Sequence, residues 1–237
     1  MESAHSDLRH NRLLALLDDA VLGAVAVHLE PVQLAWRQTL YEERRPMTHV
    51  WFPAEGVLSV LGAATAADTP IEVATIGAEG MLGISVFLGA QDSPGLVFVQ
   101  VEGRGWRMPA QALRACAEAH AAFRHVLQRY THALMVQISQ STACNRVHSV
   151  EQRCARWLLQ THDRVEGDTF DLTQDFLAEM LGERRATVSQ VASQLQQRGL
   201  ISYSRGRIEI VDRAALEDVS CACYRRIREE HELVTAP

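Results

Sequence analysis

The spacing of apolar residues changes along the chain and divides it into helical and extended segments. Up to Pro31, and again from Ala110 to about Arg146, apolar residues recur at every third or fourth position, which predicts helices. From Val32 to Met108, short apolar runs are separated by Gly, Pro, Asp and Ser, which predicts an all-β barrel or jelly roll. The predicted strands cover residues 50–52, 56–61, 71–76, 96–101 and 105–108, and one predicted turn covers 68–70.

The predicted helix from Ala110 to Arg146 is long for a globular protein, and neither Gly nor Pro interrupts it. Its apolar stripe is typical of a helix that packs against a second copy of itself. The alternative, that its first turns cover the barrel of their own protomer, stays open. We predict a sensor domain (1–112), a dimerisation helix (113–148) and a C-terminal domain (149–237). The predicted dimer contacts are Leu127, Tyr130, Leu134, Ile138 and Ser141.

The segment from 172 to 211 has the pattern of a winged helix-turn-helix. Thr173 is a favourable N-cap for a short first helix, and Gly182 permits the tight turn before a second helix at about 184–198. Residues 200–211 predict a β-hairpin with a basic tip. A module of this kind places its second helix in the DNA major groove. After the hairpin, Asp212 is predicted to cap one last helix that includes Cys223 and Ile227.

The charge of the chain changes this picture only through its placement. The net charge is −6, which by itself does not indicate a nucleic-acid-binding protein. The segment from Gly182 to Arg207, however, contains five arginines and only one acidic residue, Glu183. For contact with phosphates, the local charge matters more than the total charge. The polar N-terminus and the lack of a membrane-length apolar run predict a cytoplasmic protein without membrane contact. The odd count of five cysteines predicts reduced thiols.

The order of barrel, long helix and winged helix-turn-helix resembles the Crp/Fnr family of bacterial transcription regulators over nearly the entire chain. The sequence Leu-Gly-Glu-Arg-Arg-Ala-Thr-Val-Ser at 181–189 resembles the turn and recognition helix of that family, and residues 149–159 and the hairpin support the match. The resemblance implies an α+β protein with a cyclic-nucleotide-binding-like jelly roll. It also implies a homodimer on palindromic double-stranded DNA, and activation of transcription would add RNA polymerase as a partner.

The same resemblance assigns roles in DNA recognition. Arg185 lies where the family has an arginine that reads a guanine edge, and a guanidinium fork matches the two acceptors of guanine. Ala186 replaces a family glutamate, and Gln190 replaces a second arginine, so the half-site preference is expected to differ. Phosphate contacts are expected from other polar residues. The full predicted set is Thr173, Arg184, Arg185, Thr187, Ser189, Gln190, Arg205 and Arg207.

The barrel of such regulators often binds a cyclic nucleotide, through a glutamate after a glycine and an arginine about ten positions later. Here Ile84 follows Gly83, and no basic residue occurs between Gly77 and Val101. Without a cation nearby, the charge of a buried phosphate would be poorly compensated there. The effector is therefore left unknown. The alternative is a cyclic nucleotide, including cyclic di-GMP, that is bound by other contacts. The candidate pocket residues are Glu79, Gly83, Ile84, Ser85, Leu96 and Ser139, of which Glu79 is either a shifted ribose partner or a turn acid.

No cofactor is predicted. An iron–sulfur sensor of this family needs N-terminal cysteines, but the first cysteine is Cys116. Cys221 and Cys223 with His231 are one possible metal set, but they lack a second ligand pair, so apolar packing is favoured over a metal. Haem needs only one or two ligands. The histidines considered for a haem-sensing alternative are His28, His49, His120, His125 and His132.

Two other classes of protein compete with the regulator. A cupin-like enzyme needs several metal-binding histidines on its strands, whereas the strand region contains only His49. No catalytic triad, paired carboxylates or phosphate-binding glycine loop is recognisable, so no enzyme is predicted. A scaffold protein whose helix-turn-helix no longer binds DNA is the third class, and substitution of Arg185 distinguishes it from a regulator.

Overall fold

The computed structural model describes residues 6–62 and 71–235. The turn predicted at 68–70 lies outside this part of the chain. Within it, no helix is both long and apolar enough to cross a membrane.

The N-terminal half of the chain forms several short helices and a two-layered β-barrel. One antiparallel sheet has the order β1-β7-β3, and the other has the order β2-β6-β4-β5. All five predicted strands are confirmed, whereas β1 and the three-residue β2 were missed because neither has a continuous apolar run. In chain order the elements are α1 (Arg12–Ala15), α2 (Asp19–Ala26), β1 (Glu30–Leu34), β2 (Thr39–Tyr41), β3 (His49–Pro53), β4 (Val57–Leu61), β5 (Glu72–Ile76), α3 (Ile84–Phe87), β6 (Val97–Val101) and β7 (Gly103–Pro109).

The predicted continuous helix after the barrel is interrupted. Helix α4 (Ala110–Ala119) ends before His120, whose backbone is extended (φ −120°, ψ 103°), and α5 (Ala121–Val147) starts immediately after it. The boundary predicted at 112/113 therefore falls inside α4. Leu113 and Cys116 of α4 belong to the barrel core, so this helix covers its own barrel.

The C-terminal half is the predicted winged helix-turn-helix, extended by further helices. Strands β8, β9 and β10 form one antiparallel sheet in the order β8-β10-β9. The single last helix that was predicted is wrong, since the chain breaks at Ser220 and Cys221 into two helices. In chain order the elements are α6 (Val150–His162), β8 (Thr169–Asp171), α7 (Gln174–Leu181), α8 (Arg185–Gln197), β9 (Ile201–Ser204), β10 (Arg207–Ile210), α9 (Arg213–Val219) and α10 (Ala222–Thr235).

The apolar stripe of α5 is covered within the protomer, which corrects most of the predicted dimer contacts. Leu127 and Leu134 belong to the barrel core, and the hydroxyl of Tyr130 donates to the carbonyl of Met81 at 3.0 Å. Ser141 is also buried. Helix α10 packs along α5 on this side. A side chain already buried in its own protomer cannot contact a second one, so only the partly exposed Ile138 is left of the predicted set.

The barrel and the C-terminal domain share an interface on the outer face of the four-stranded sheet. Leu58 and Val99 point into the barrel core, and their neighbours Ser59 and Gln100 point to the opposite face, as the two-residue period of a strand requires. There Phe98 meets the ring of Phe176 from α7 at 5.8 Å between centroids. Both faces of these strands are buried, so their sequences lack a clear apolar–polar alternation.

Candidate nucleic-acid interface

Helix α8 presents a polar face to solvent at its N-terminal end. Arg184, Arg185 and Gln190 are exposed, and Thr187 is partly exposed. The opposite face is buried, because Val188, Val191, Ala192 and Leu195 belong to the core of the C-terminal domain. The helix is therefore held by its apolar side, while its polar side is free to contact another molecule.

The corner before this helix depends on a left-handed residue. Gly182 has φ +62° and ends α7, as predicted from its position. A Cβ atom here would lie 3.0 Å from the side chain of Ile71, which directly precedes β5, so the corner also touches the barrel domain. Arg153 of α6 holds the corner in place, because its guanidinium donates to the carbonyl of Leu181 at 2.9 Å and pairs with Glu183.

The hairpin tip lies beside the start of α7. Strands β9 and β10 are joined by Arg205 and Gly206, both in the left-handed region (φ +53° and +79°). The carbonyl of Gly206 accepts a hydrogen bond from the amide of Leu172 at 2.7 Å. Thr173, the N-cap of α7, accepts from the amide of Phe176. Exposed Arg205, Arg207 and Thr173 are thereby brought onto one side of the domain.

Several of the predicted DNA-contacting residues are engaged with neighbours inside the domain, among them Arg207, which pairs with Asp171 at 3.8 Å. The hydroxyl of Ser189 donates to the side chain of Gln174, which ties α8 to α7. Arg185 pairs with Asp175 at 3.2 Å, and both side chains are 67% exposed. An ion pair this exposed is worth little in water, so it leaves Arg185 available to a partner.

The predicted effector residues do not converge on one cavity within the protomer. Gly83 is left-handed and packs so closely on Tyr41 that a Cβ atom would lie 2.4 Å from the tyrosine oxygen. Ile84 is buried, Ser85 is partly buried, and Leu96 packs toward the core of the C-terminal domain. Ser139 is exposed on α5. A polar cavity of about 300 Å³ between the domains is lined by Glu79 but by none of these other residues.

Glu79 forms an ion pair between the two domains. Its carboxylate accepts from Arg164, just beyond α6, at 2.8 Å, and both side chains are almost completely buried. Burial by itself would raise the pKa of Glu79, but the positive charge of Arg164 and the amide of Gly77 outweigh it and lower that pKa. In this conformation the carboxylate of Glu79 is occupied by Arg164 and by the amide of Gly77, in the turn that contains it. Sequence reasoning missed Arg164, which no local motif marks.

Of the metal set considered from the sequence, Cys221 and Cys223 are close together, but His231 is not among the residues that join them. His231 lies about two helical turns beyond Cys223 on α10, and its Nε2 meets the side-chain oxygen of Gln137 at 3.0 Å. Burial lowers the pKa of His231 to about 4. The five histidines considered for haem are spread along the chain, with His28 after α2, His49 in β3, His120 before α5, and His125 and His132 on the exposed side of α5.

A second buried carboxylate, Glu72, is the centre of a hydrogen-bond network between the domains. The indole of Trp157 on α6 donates to it at 2.7 Å, and it also meets the hydroxyl of Ser59. The Ser59 hydroxyl has only one proton to donate, but it contacts two oxygens, that of Glu72 and the side-chain oxygen of Gln100, which is 2.8 Å away. A protonated Glu72 donating to Ser59, which then donates to Gln100, satisfies all three groups. Consistently, burial raises the pKa of Glu72 to about 7.

This network predicts a stability difference that depends on pH. Because the pKa of Glu72 is about 7 in the folded protein and 4.5 ordinarily, the folded state holds a proton that the unfolded state has lost between these values. The stabilisation that this bound proton gives the folded protein is complete below pH 4.5 and is lost as the pH rises through 7. The variant Glu72→Gln keeps both hydrogen bonds without a charge. At pH 8 we therefore expect its free energy of unfolding to be higher than that of the wild type by roughly 2–4 kcal/mol.

The measurement is urea unfolding of both proteins from pH 4.5 to 8, followed by circular dichroism. His231 acts in the opposite direction, because its lowered pKa makes stability rise with pH. Only the difference between wild type and variant isolates Glu72. A difference that does not change with pH would show that Glu72 titrates normally.

Comparison with known proteins gives the geometry a context. Residues 152–219 match the Crp-like helix-turn-helix domain family. FixK2 from Bradyrhizobium japonicum superimposes with a TM-score of 0.67 at 16% identity, over 82% of this chain and 98% of that one. TTHB099, a transcriptional regulator of the CRP family from Thermus thermophilus, gives 0.65 at 18% identity, over 80% and 96%. The c-di-GMP responsive global regulator CLP from Xanthomonas campestris gives 0.58 at 15% identity, over 81% and 99%. No curated protein sequence matches the chain.

At these identities the solved structures establish the fold, and the domain match establishes the type of helix-turn-helix. The β-barrel, the long helix and a helix-turn-helix with an exposed second helix are the architecture of a DNA-binding protein. Residues 152–219 are thus a helix-turn-helix domain of the Crp-like type, and the chain has the fold of the Crp/Fnr regulators to which it is similar, so the predicted fold is confirmed.

Proposed function

We propose that the protein is a sequence-specific regulator that binds a palindromic DNA site as a homodimer, with one α8 helix in the major groove of each half-site. The exposed N-terminal end of α8 beside a basic hairpin tip carries this proposal. In modules of this kind the first residues of the second helix contact base edges. Arg185 and Gln190 would read bases, and Arg184, Thr187, Arg205 and Arg207 would hold phosphates. The protein would act by binding and not by catalysis.

Selection of binding sites from a random pool of DNA duplexes tests this function. We expect enrichment of a two-fold symmetric sequence whose half-sites lie about 10 base pairs apart, or a multiple of one helical turn. Guanine is expected opposite Arg185, and adenine opposite Gln190. Enrichment of a single asymmetric half-site would contradict the dimer, and failure to enrich any sequence would contradict the DNA-binding function.

The homodimer is proposed to use the side of α5 that the protomer leaves uncovered. Residues on this side follow alternating steps of three and four, which is the spacing of a coiled-coil seam. Met135 is 62% exposed although it is apolar, and Ile138 next to it is partly exposed. The proposed seam consists of Gln128, Thr131, Met135, Ile138 and Thr142.

We expect Met135→Glu to weaken the dimer, because the symmetry of the pair brings two added carboxylates together in an apolar seam. Its dimer dissociation constant, measured by analytical ultracentrifugation, should rise at least about tenfold, which corresponds to ~1.4 kcal/mol. Leu88→Glu is the matched control, since Leu88 is equally exposed (63%) but follows α3 on the barrel. Equal effects of the two variants would place the seam elsewhere.

A further inference from the structure

Three cysteines and one histidine from distant parts of the sequence meet where the long helix joins the C-terminal domain. Cys144 lies in the last turn of α5, and His148 follows that helix directly. Cys221 and Cys223 lie at the start of α10, at the break that sequence analysis did not predict. The Sγ atoms of Cys144 and Cys221 are 3.4 Å apart, and Sγ of Cys223 is 3.7 Å from Nδ1 of His148. All four potential ligand atoms lie within 4.8 Å of one another.

These distances fit the corners of one tetrahedral metal site. A zinc–sulfur bond is about 2.3 Å long, so the corners of the tetrahedron are ~3.8 Å apart. Three sulfurs and one imidazole are a common ligand set of structural zinc, and soft thiolates select this type of cation over magnesium or calcium. The ligand atoms lie too close together to surround the several irons of an iron–sulfur cluster.

The surroundings of the four side chains also suit a metal. The three cysteines are almost completely buried and form a small cluster of their own, whereas His148 is partly exposed and gives a cation a way in. Bound to three thiolates, a divalent cation leaves one net negative charge. Arg156 of α6 is buried and close enough to act electrostatically on Cys144 and Cys223. Among the described residues its Nε has no hydrogen-bond partner, so its charge is available to offset the site.

We propose that Cys144, His148, Cys221 and Cys223 bind one zinc-class cation per protomer in tetrahedral geometry. Two ligands come from the end of α5 and the connection to α6, and the other two come from the start of α10. A bound cation would therefore fix the C-terminal domain against the long helix. Metal occupancy thereby stabilises one position of the domain that contains α8. This last consequence rests on the proposed DNA-binding function, but metal binding itself does not.

Cobalt titration of the full-length protein tests the site. The protein is purified without oxygen, treated with a chelator and titrated with Co²⁺, which absorbs visible light when it is bound tetrahedrally by thiolates. We expect one equivalent per protomer, displacement by Zn²⁺, and a higher unfolding temperature in the presence of Zn²⁺. Cys221→Ser should weaken binding by more than the roughly 10–100-fold that loss of an outer-shell partner costs.

Two further variants keep the test decisive. His148→Gln alters a partly exposed residue, so it should fold normally while it weakens metal binding and changes the cobalt spectrum. Cys116→Ser is the control, because Cys116 is buried in the barrel core away from the site, and its cobalt spectrum should match the wild type. No cobalt spectrum in the wild type, an unchanged spectrum in Cys221→Ser and His148→Gln, or a Cys144–Cys221 disulfide in place of bound metal would overturn the proposal. These readouts involve no DNA, so they do not depend on the outcome of the site selection.

Discussion

Replacement of Arg164 by Met is expected to lower the free energy of unfolding by about 3–5 kcal/mol. The substitution removes the only counter-charge within ion-pair distance of Glu79 among the described residues, and this carboxylate has almost no access to water. An uncompensated buried carboxylate is costly because protein surroundings replace its hydration poorly. The loss should shrink as the pH falls, since protonated Glu79 needs no counter-charge.

Denaturant unfolding followed by circular dichroism measures this loss, and two further variants interpret it. The double variant Arg164→Met with Glu79→Gln should recover much of the stability, because no buried charge is left alone. Arg107→Met is the matched control, because its ion pair with Glu30 is about half exposed and should contribute at most about 1 kcal/mol. If Arg164→Met cost no more than Arg107→Met, Glu79 would have to be solvated or neutral in the folded protein.

Replacement of Arg185 by Ala is expected to cost about 1–3 kcal/mol of binding to the selected DNA site, or roughly 5- to 150-fold in affinity. The loss should be confined to one base-pair position in each half-site, where the preference for guanine relaxes. Fluorescence anisotropy with the selected duplex and with duplexes changed at that position measures both effects. Binding to unrelated DNA should change much less, because it depends on phosphate contacts.

Arg198→Ala is the matched control for Arg185→Ala. Arg198 is the C-cap of the same helix, is about half exposed and pairs with Glu151 on the surface, so its loss removes the same charge far from the N-terminal end of α8. Equal losses for the two variants would mean that Arg185 contributes only its charge. No loss for Arg185→Ala would favour the alternative of a scaffold protein that does not read DNA.

Local patterns account for the features that could be predicted. Gly182 and the apolar spacing around it predict the helix-turn-helix corner, and Gly206 beside basic residues predicts the hairpin tip, because both depend on neighbours within a few positions. The breaks at His120 and Ser220 were missed, since neither residue is Gly or Pro. Both residues have an extended backbone that no local pattern of the sequence marks.

The sequence by itself determined which residues of the long helix are apolar, but not what covers them. Periodicity identifies a buried face, and only the tertiary structure decided that the barrel and α10 cover Tyr130 and Leu134, which leaves Met135 on the free side. Likewise, the sequence determined that Cys221 and Cys223 are close together, whereas the fold brought Cys144 and His148 to them. Contacts between residues far apart in the chain depend on how whole elements pack, and no short-range pattern encodes that packing.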